Sequence, residues 1–421
     1  MSQVDTAALE ASDPQQRRRD IRTMAVVGLG HGSSHFSQLL LAPLFPWIKD
    51  AFALSYAELG LLMTVFFVVS GFGQAAAGFV VDRVGALPVL LGTLILFAIA
   101  AMGLALSINY PMMMFFSGLA GLANCPFHPI GFSIINARVS PQRLGRAYAV
   151  HGITGNLGWA VAPVFVVSIT GLSNWRVALG CASLLLLIVW FVIWKNRELL
   201  AGVQRAPQGG PGAQHSGAGV GGSEFAFLRL PAVWLSFGFF FAAASVLGGV
   251  QSFGPESARQ LHDVPLELLA MCLTAYMLSG AGGMIVGGLI ASDARRAERV
   301  IAGAFGLAAC VALIVGFSGL PGWTVPVLFV IMGFGTGIAG PSRDLLVRAA
   351  TPPGATGRVY GMVYSGLDVG SALAPAVFGV LMDTGHPAMI WAGIALFQGA
   401  MVVSALNIGR FSGTRLAARA A

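Results

Sequence analysis

The sequence predicts an all-α membrane protein: twelve transmembrane helices in two pseudo-symmetric six-helix halves. Three observations predict it. The 421 residues are 56% hydrophobic and 10% charged, with mean hydropathy +0.79, whereas a soluble domain carries roughly 25% charged residues. Apolar runs of about 20 residues, enough to cross a bilayer, recur along the whole chain. The stretch 145–163, GRAYAVHGITGNLGWAVAP, also returns as 357–375, GRVYGMVYSGLDVGSALAP. Gly145, Arg146, Tyr148, Gly158, Ala160, Ala162 and Pro163 reappear without a gap as Gly357, Arg358, Tyr360, Gly370, Ala372, Ala374 and Pro375, and Pro129 and Pro141 reappear as Pro341 and Pro353. A repeat of that length is half a protein written twice, not a solenoid unit.

In chain order, residues 1–22 read as a polar tail ending in Arg17, Arg18, Arg19 and Arg22. Six spans are expected near 23–47, 55–81, 87–107, 111–138, 146–170 and 174–194, forming a first half over 23–194. Residues 195–229, rich in Gly, Pro, Ala and Gln without apolar periodicity, read as a flexible linker. Six more spans near 230–254, 265–290, 299–318, 323–349, 357–382 and 387–409 form the second half, 230–409, before a tail at 410–421. Backbone polar groups in lipid must be satisfied within the segment, so each run should be helical. The runs are too long and continuous for barrel strands.

The net charge of +7 is a topology signal. All Lys and Arg except Lys49, Arg176 and Arg259 fall in the N-tail, alternate loops, the linker and the C-tail. The positive-inside rule then places both termini and the linker in the cytoplasm, with the protein in the inner membrane. That distribution argues against a nucleic-acid partner. No cleavable signal-peptide pattern precedes the first run, which should be retained as a span. Cys125, Cys181, Cys272 and Cys310 each lie in an apolar run without CxxC spacing and read as packing residues. The two lysines, Lys49 and Lys195, lie outside any GxxxxGK[ST] loop, and there is no HExxH. No cofactor, metal or enzyme activity is expected, and the energy source should be an ion or substrate gradient.

The loop after the second span reads Gly78-Phe-Val-Val-Asp82-Arg83-Val-Gly85. It resembles the GxxxDRxG signature of the major facilitator superfamily, with Ala86 and Leu87 where basic residues usually follow. A looser counterpart surrounds Gly288, Asp293, Arg295 and Arg296. Two blocks, His31-Gly-Ser-Ser-His35-Phe-Ser-Gln38 and Asn124-Cys-Pro-Phe-His128-Pro129, resemble the fosmidomycin-resistance branch of that superfamily. The superfamily resemblance covers nearly the whole chain; the branch resemblance rests mainly on the first half. It implies a monomeric secondary transporter in the lipid bilayer, exporting a small, often anionic, compound against protons. Gly158–Pro163 and its copy also resemble a degraded form of the GxxxGP pattern of drug–proton antiporters.

Ionisable groups inside spans are costly and are functional candidates by default. His31 and His35 lie one turn apart on one face, roughly 12–18 Å into the membrane at about 1.5 Å per residue. Imidazole titrates near neutral pH and suits a proton carrier or an anion ligand. His31, His35, Gln38, Asn124, His128 and Asn156 are the expected substrate ligands. Pro129 is expected to kink the fourth span beside His128. Asp368 is the clear mid-span carboxylate, aligned by the repeat with Asn156; burial raises such an acid's pKa toward neutrality. Asp368, His35 and His151 are the proton-coupling candidates. Gly78, Asp82, Arg83, Gly85, Arg146 and Arg358 are expected to shape helix ends, and Arg343 with Asp344 fits either a gate or a structural ion pair. The expected function is proton-coupled efflux of a small organic compound, bound in a cavity between the halves and moved by alternating access. An importer of organic acids and, more remotely, a non-transporting membrane sensor are the alternatives.

Overall fold

The computed structural model describes residues 14–200, 231–290, 294–350 and 356–420. Among them there are helices and turns but no strand. The helices are α1 Pro14–Gln38, α2 Phe45–Phe52, α3 Tyr56–Val84, α4 Ala86–Ala105, α5 Tyr110–Asn124, α6 Phe127–Arg138, α7 Leu144–Leu172, α8 Trp175–Lys195 and α9 Arg197–Leu200. After the linker come α10 Pro231–Ser252, α11 Gly254–His262, α12 Leu266–Ile290, α13 Ala294–Phe317, α14 Val325–Ala350, α15 Thr356–Asp383 and α16 Pro387–Ala420. Ten of them (α3, α4, α7, α8, α10 and α12–α16) are long and apolar enough to span a membrane.

The other two expected spans are interrupted, and proline explains both. The run at 23–47 is not one helix. α1 stops at Gln38, and a 3-10 turn, Ala42–Leu44, and then α2 follow, with Pro43 and Pro46 in their first turns. Neither proline can donate the backbone hydrogen bond that a continuous helix needs. The run at 111–138 breaks at Cys125 and Pro126 into α5 and α6. The expected kink residue, Pro129, sits instead in the first turn of α6, where a missing N–H costs nothing. The break belongs to Pro126.

The N-terminal tail is also partly helical, since α1 begins at Pro14. Asp20 in that stretch is fully buried. Its carboxylate accepts from Ser140 Oγ at 2.6 Å, Arg143 Nη1 at 2.9 Å and Gln16 Nε2 at 2.8 Å. Burial alone would push this carboxyl upward, but these donors outweigh it and hold it below the ordinary carboxylate value. The three cations that break the charge pattern each have a partner. Arg176 Nη1 donates to Ala105 O and Ser107 O at the end of α4, at 2.7 and 2.6 Å. Lys49 Nζ lies 4.8 Å from the Tyr56 ring centroid, and Arg259 pairs with Glu256 at 2.7 Å.

The chain divides into two compact units. Residues up to Leu40 and from Val69 to the linker form one; Leu41–Val68 and everything after the linker form the other. α3 therefore contributes its first part to the second unit and the remainder to the first. In the first unit α1 packs along α7, and α4 along α8. In the second, α10 packs along α15, α12 along α14, and α13 along α16. The sequence repeat has the same physical role in both. A Cβ added at Gly158 of α7 would overlap Gly32 O of α1; one at Gly370 of α15 would overlap Phe241 O of α10. The repeated glycine thus lets two backbones touch, as small residues do between membrane helices. At Gly85, between α3 and α4, φ is +97°, which a side chain rarely tolerates.

The residues from the first span pair that join the second unit are held there by hydrogen bonds. The Asp383 carboxylate, last in α15, accepts from Tyr56 N and Ala57 N at 2.7 and 2.8 Å and so caps α3. Thr64 Oγ1 donates to Ala372 O at 2.6 Å.

Two outcomes follow for stability. Gly158→Leu should lower the melting temperature of the detergent-purified protein markedly, whereas Gly171→Leu, where an added Cβ meets nothing within 4 Å, should not. Asp20→Asn should destabilise by about 3 kcal/mol because Arg143 loses its buried partner. Since the Asp20 carboxyl is held low, its contribution is complete above the unfolded carboxylate value of about 4 and fades as pH falls below it. Thermal unfolding of wild type and Asp20→Asn across acidic pH measures both.

Candidate functional site

α1 carries His31, Ser34, His35 and Gln38 at helical spacing, so all four lie on one face. That face meets α7 at two glycines, Gly155 and Gly158, of which only Gly158 is shared with the second copy of the repeat. A Cβ on Gly155 would stand 2.8 Å from Cε1 of both His31 and His35. The two imidazoles are thus laid over bare α7 backbone. Their centroids are 4.4 Å apart, and the His31 ring stacks on His151 of α7 at 3.6 Å and 19°. All three rings are buried, at 6%, 8% and 5% exposure.

His31 Nδ1 donates to His151 O at 2.8 Å. A carbonyl only accepts, so Nδ1 carries a hydrogen and Nε2 presents the lone pair whenever the ring is neutral. Thr154 Oγ1 donates to the same carbonyl at 2.9 Å. A water-sized void of about 10 Å³ lies against His31, His151 and Gly131, with Phe127, Ile130 and Ile134 of α6 around it.

The polar surface continues from His35 in the opposite direction. The Trp159 ring centroid lies 4.1 Å from that of His35, and Trp159 Nε1 donates to Gln38 Oε1 at 3.2 Å. Gln38 Nε2 in turn donates to Asn124 Oδ1 at 3.0 Å, as does Ser34 Oγ at 2.7 Å. Asn124 Nδ2 donates to Ser70 Oγ of α3 at 2.8 Å. Four helices of one unit (α1, α3, α5 and α7) therefore supply one connected set of polar and aromatic groups. Asn124 ends α5, directly before the Cys125–Pro126 break, which brings its amide to α1 and α3 at once.

Of the expected ligands, the structure brings together His31, His35, Gln38 and Asn124, and adds His151 to them. Asn156 is half-buried, and its Nδ2 donates back to Gly152 O at 3.2 Å on its own helix. The side chain of His128 lies outside the described residues, as do those of Asp82, Arg343, Asp344 and Arg358. Arg83 and Arg146 are exposed at helix ends. Asp368 lies half-buried in α15, in the other unit.

Trp159 and Ser70 were not singled out by sequence reasoning. A lone serine in the apolar run of α3 and a tryptophan one turn after Gly155 were the available signals. The four cysteines are free, and among the described residues no His, Cys, Asp or Glu cluster could hold a metal.

The first unit's described carboxylates are Asp20, tied to Arg143, and Glu198, beyond the last span. The membrane-depth polar set is therefore made of imidazoles, amides, hydroxyls and an indole N–H. Donors and acceptors are mixed in it, and only protonation of an imidazole adds positive charge.

Long apolar helices enclosing such a set define a multi-pass membrane protein. The family model described as Major Facilitator Superfamily matches residues 27–375, so the chain belongs to that superfamily. The chain is 25% identical over 377 residues to the probable L-galactonate transporter of Escherichia coli (strain K12), covering 84% of this chain and 82% of that protein. It is 23% identical over 384 residues to the fosmidomycin resistance protein of the same organism, covering 90% and 91%. A crystal structure of the nucleoside transporter NupG shares the fold, with a TM-score of 0.72 at 16% identity over 92% of this chain and 99% of that one.

Asn124 is the junction of the network, and this can be tested directly. Asn124→Ala leaves buried Ser34 and Ser70 hydroxyls without their partner and should cost about 1–3 kcal/mol. Ser70→Ala removes only the acceptor of Asn124 Nδ2 and should be the milder change. Chemical or thermal unfolding of both variants in one detergent gives the order; equal losses would contradict the assigned bonds.

Proposed function

We propose that this transporter exports a small organic anion in exchange for protons. The observation that carries the reading is the convergence of His31, His35 and His151 with Gln38, Asn124 and Trp159 in an apolar bundle without a described membrane-depth acid. A carboxylate or phosphonate on such a surface gains charge-assisted hydrogen bonds from imidazolium and neutral ones from the second hydrogens of the amide groups. The relatives' names fit the same chemistry, since L-galactonate is a carboxylate and fosmidomycin a phosphonate.

In this reading Asp368 is the exchanging acid. It is the mid-helix carboxylate of α15, and it takes a proton from the acidic side and releases it on the other. Exchange requires that protonation favour one access state and substrate the other. The N-tail, linker and C-tail lie in the cytoplasm by the lysine and arginine distribution, which makes outward movement export from the cell.

One observation favours a second reading, uptake of the anion together with protons. Two imidazoles stacked at 3.6 Å repel each other when both are charged. An anion beside them relieves that repulsion, so anion and proton binding reinforce each other on the histidines. Mutual reinforcement is the property of a symporter, and it places coupling on His31, His35 and His151, not on Asp368.

Reconstitution into liposomes with labelled organic acids separates the readings. In the exchange reading an imposed pH gradient drives the anion uphill toward the acidic side, and Asp368→Asn abolishes this while leaving substrate counterflow. In the second reading the anion moves uphill toward the alkaline side, and Asp368→Asn retains the coupling. In both, His35→Gln should raise KM by about tenfold or more, the loss of one charge-assisted hydrogen bond. Transport unaffected by any pH gradient would remove proton coupling altogether.

A further inference from the structure

We propose that His262 is a second proton-binding site, at the end of α10 remote from the linker, where a bound proton fastens the nine-residue helix α11 to the end of α13. His262 is the last residue of α11 and is buried, at 7% exposure. Both of its ring nitrogens face backbone carbonyls. Nε2 lies 2.6 Å from Val315 O, and Nδ1 lies 3.2 Å from Leu320 O.

A carbonyl oxygen has no hydrogen to give, and a neutral imidazole has one N–H. In the neutral ring one nitrogen would therefore point its lone pair at an oxygen lone pair. Only the imidazolium donates to both, so this geometry is built for the protonated form. The surrounding dipoles act in the same sense. Val315 is in the last turn of α13, where carbonyls lack partners within the helix. His262 itself closes α11, with Asp263 in the left-handed conformation after it. Two helix C-termini, each carrying partial negative charge, thus meet at one ring.

α11 packs against α10, α12, α13, α16 and the turn Gly322–Thr324. Its own ionisable groups are Glu256 and Arg259, which pair with each other, and Asp263 is exposed at its end. α10 and the 322–324 turn have none. α12 has Glu267, whose side chain lies outside the described residues. α13 carries its charges, Arg295, Arg296, Glu298 and Arg299, at the opposite end, and those of α14 and α16 lie at their far ends. His386, just before α16, contacts Thr384 Oγ1.

The fastening matters because α11 holds other segments. Glu256 Oε1 accepts from Tyr56 OH at 3.0 Å, and Gln260 Nε2 donates to the same hydroxyl at 2.9 Å. Ser257 Oγ donates to Pro387 O and accepts from Trp391 Nε1, at 2.8 and 2.9 Å. Loss of the His262 proton loosens the end of α11 and, through it, the seat of Tyr56. The proton site itself does not depend on the transport reading above; it is a property of the folded second unit.

Hydrogen exchange and thermal unfolding at about pH 5.5 and about pH 8.5, on either side of the usual imidazole range near 6.5, test it. Peptides covering 257–262 and 315–320 should be about tenfold better protected at the lower pH, after correction for intrinsic exchange, the effect of one charge-assisted hydrogen bond. His262→Gln, a neutral side chain with one donor group, should remove the part of the wild-type pH dependence of melting that lies in this range. Equal protection at both pH values, or the same pH dependence of melting in His262→Gln, would overturn the proposal. If His262→Gln does not fold, the wild-type exchange comparison alone decides.

Discussion

The buried set formed by His31, His35, His151 and Trp159 depends on one close contact, that of α7 backbone against α1 backbone. Gly158 admits the α1 chain at Gly32, and Gly155 leaves room for two imidazoles. A membrane interior gives buried polar atoms no water to turn to. The donors and acceptors of α1 must therefore find partners on neighbouring helices, and they can only do so at short range. Small residues on α7 bring that helix near enough for His151 and Trp159 to complete the set. The same contact recurs in the second unit, where Gly370 admits α10, yet among the described residues no histidine cluster accompanies it. The two copies share this glycine contact and differ in their polar groups: His151 is replaced by Val363 and Asn156 by Asp368.

Proline positions the remaining partners. Had 111–138 been one straight helix, the Asn124 amide would have been committed to a regular helical face. Ending α5 at Asn124, before Pro126, frees the side chain to bridge Ser34, Gln38 and Ser70. Interruption of the first run by Pro43 and Pro46 similarly separates α1 from α2, and the residues after Leu40 join the other unit. Both interruptions put irregular backbone next to the buried polar side chains, at the cost of continuous helical hydrogen bonding.

The helical architecture and the repeat were legible because hydropathy and glycine spacing act locally along the chain. His31, His35 and Gln38 were legible as one face because helical periodicity fixes it. The partnership of His31 with His151 was not, since His151 lies near the start of its expected span at 146–170. Which face of α7 turns toward α1 depends on packing between segments 120 residues apart. Trp159 and Ser70 escaped notice for the same reason: nothing in their own neighbourhoods records what lies across from them. The choice between Pro126 and Pro129 as the breaking residue rested on a three-residue difference in where α6 begins. His262 was invisible as a candidate, because its meaning comes wholly from two carbonyls of another helix end and loop.

The central claim is that the histidine-bearing face of α1 is where the transported anion binds. Equilibrium binding of a carried organic acid to the purified protein, compared between wild type and the double variant His31→Gln, His35→Gln, tests it most directly. Melting curves would first establish that the variant is folded. The account predicts that affinity falls by about tenfold to a hundredfold, the loss of one or two charge-assisted hydrogen bonds. Unchanged affinity in a folded double variant would contradict it.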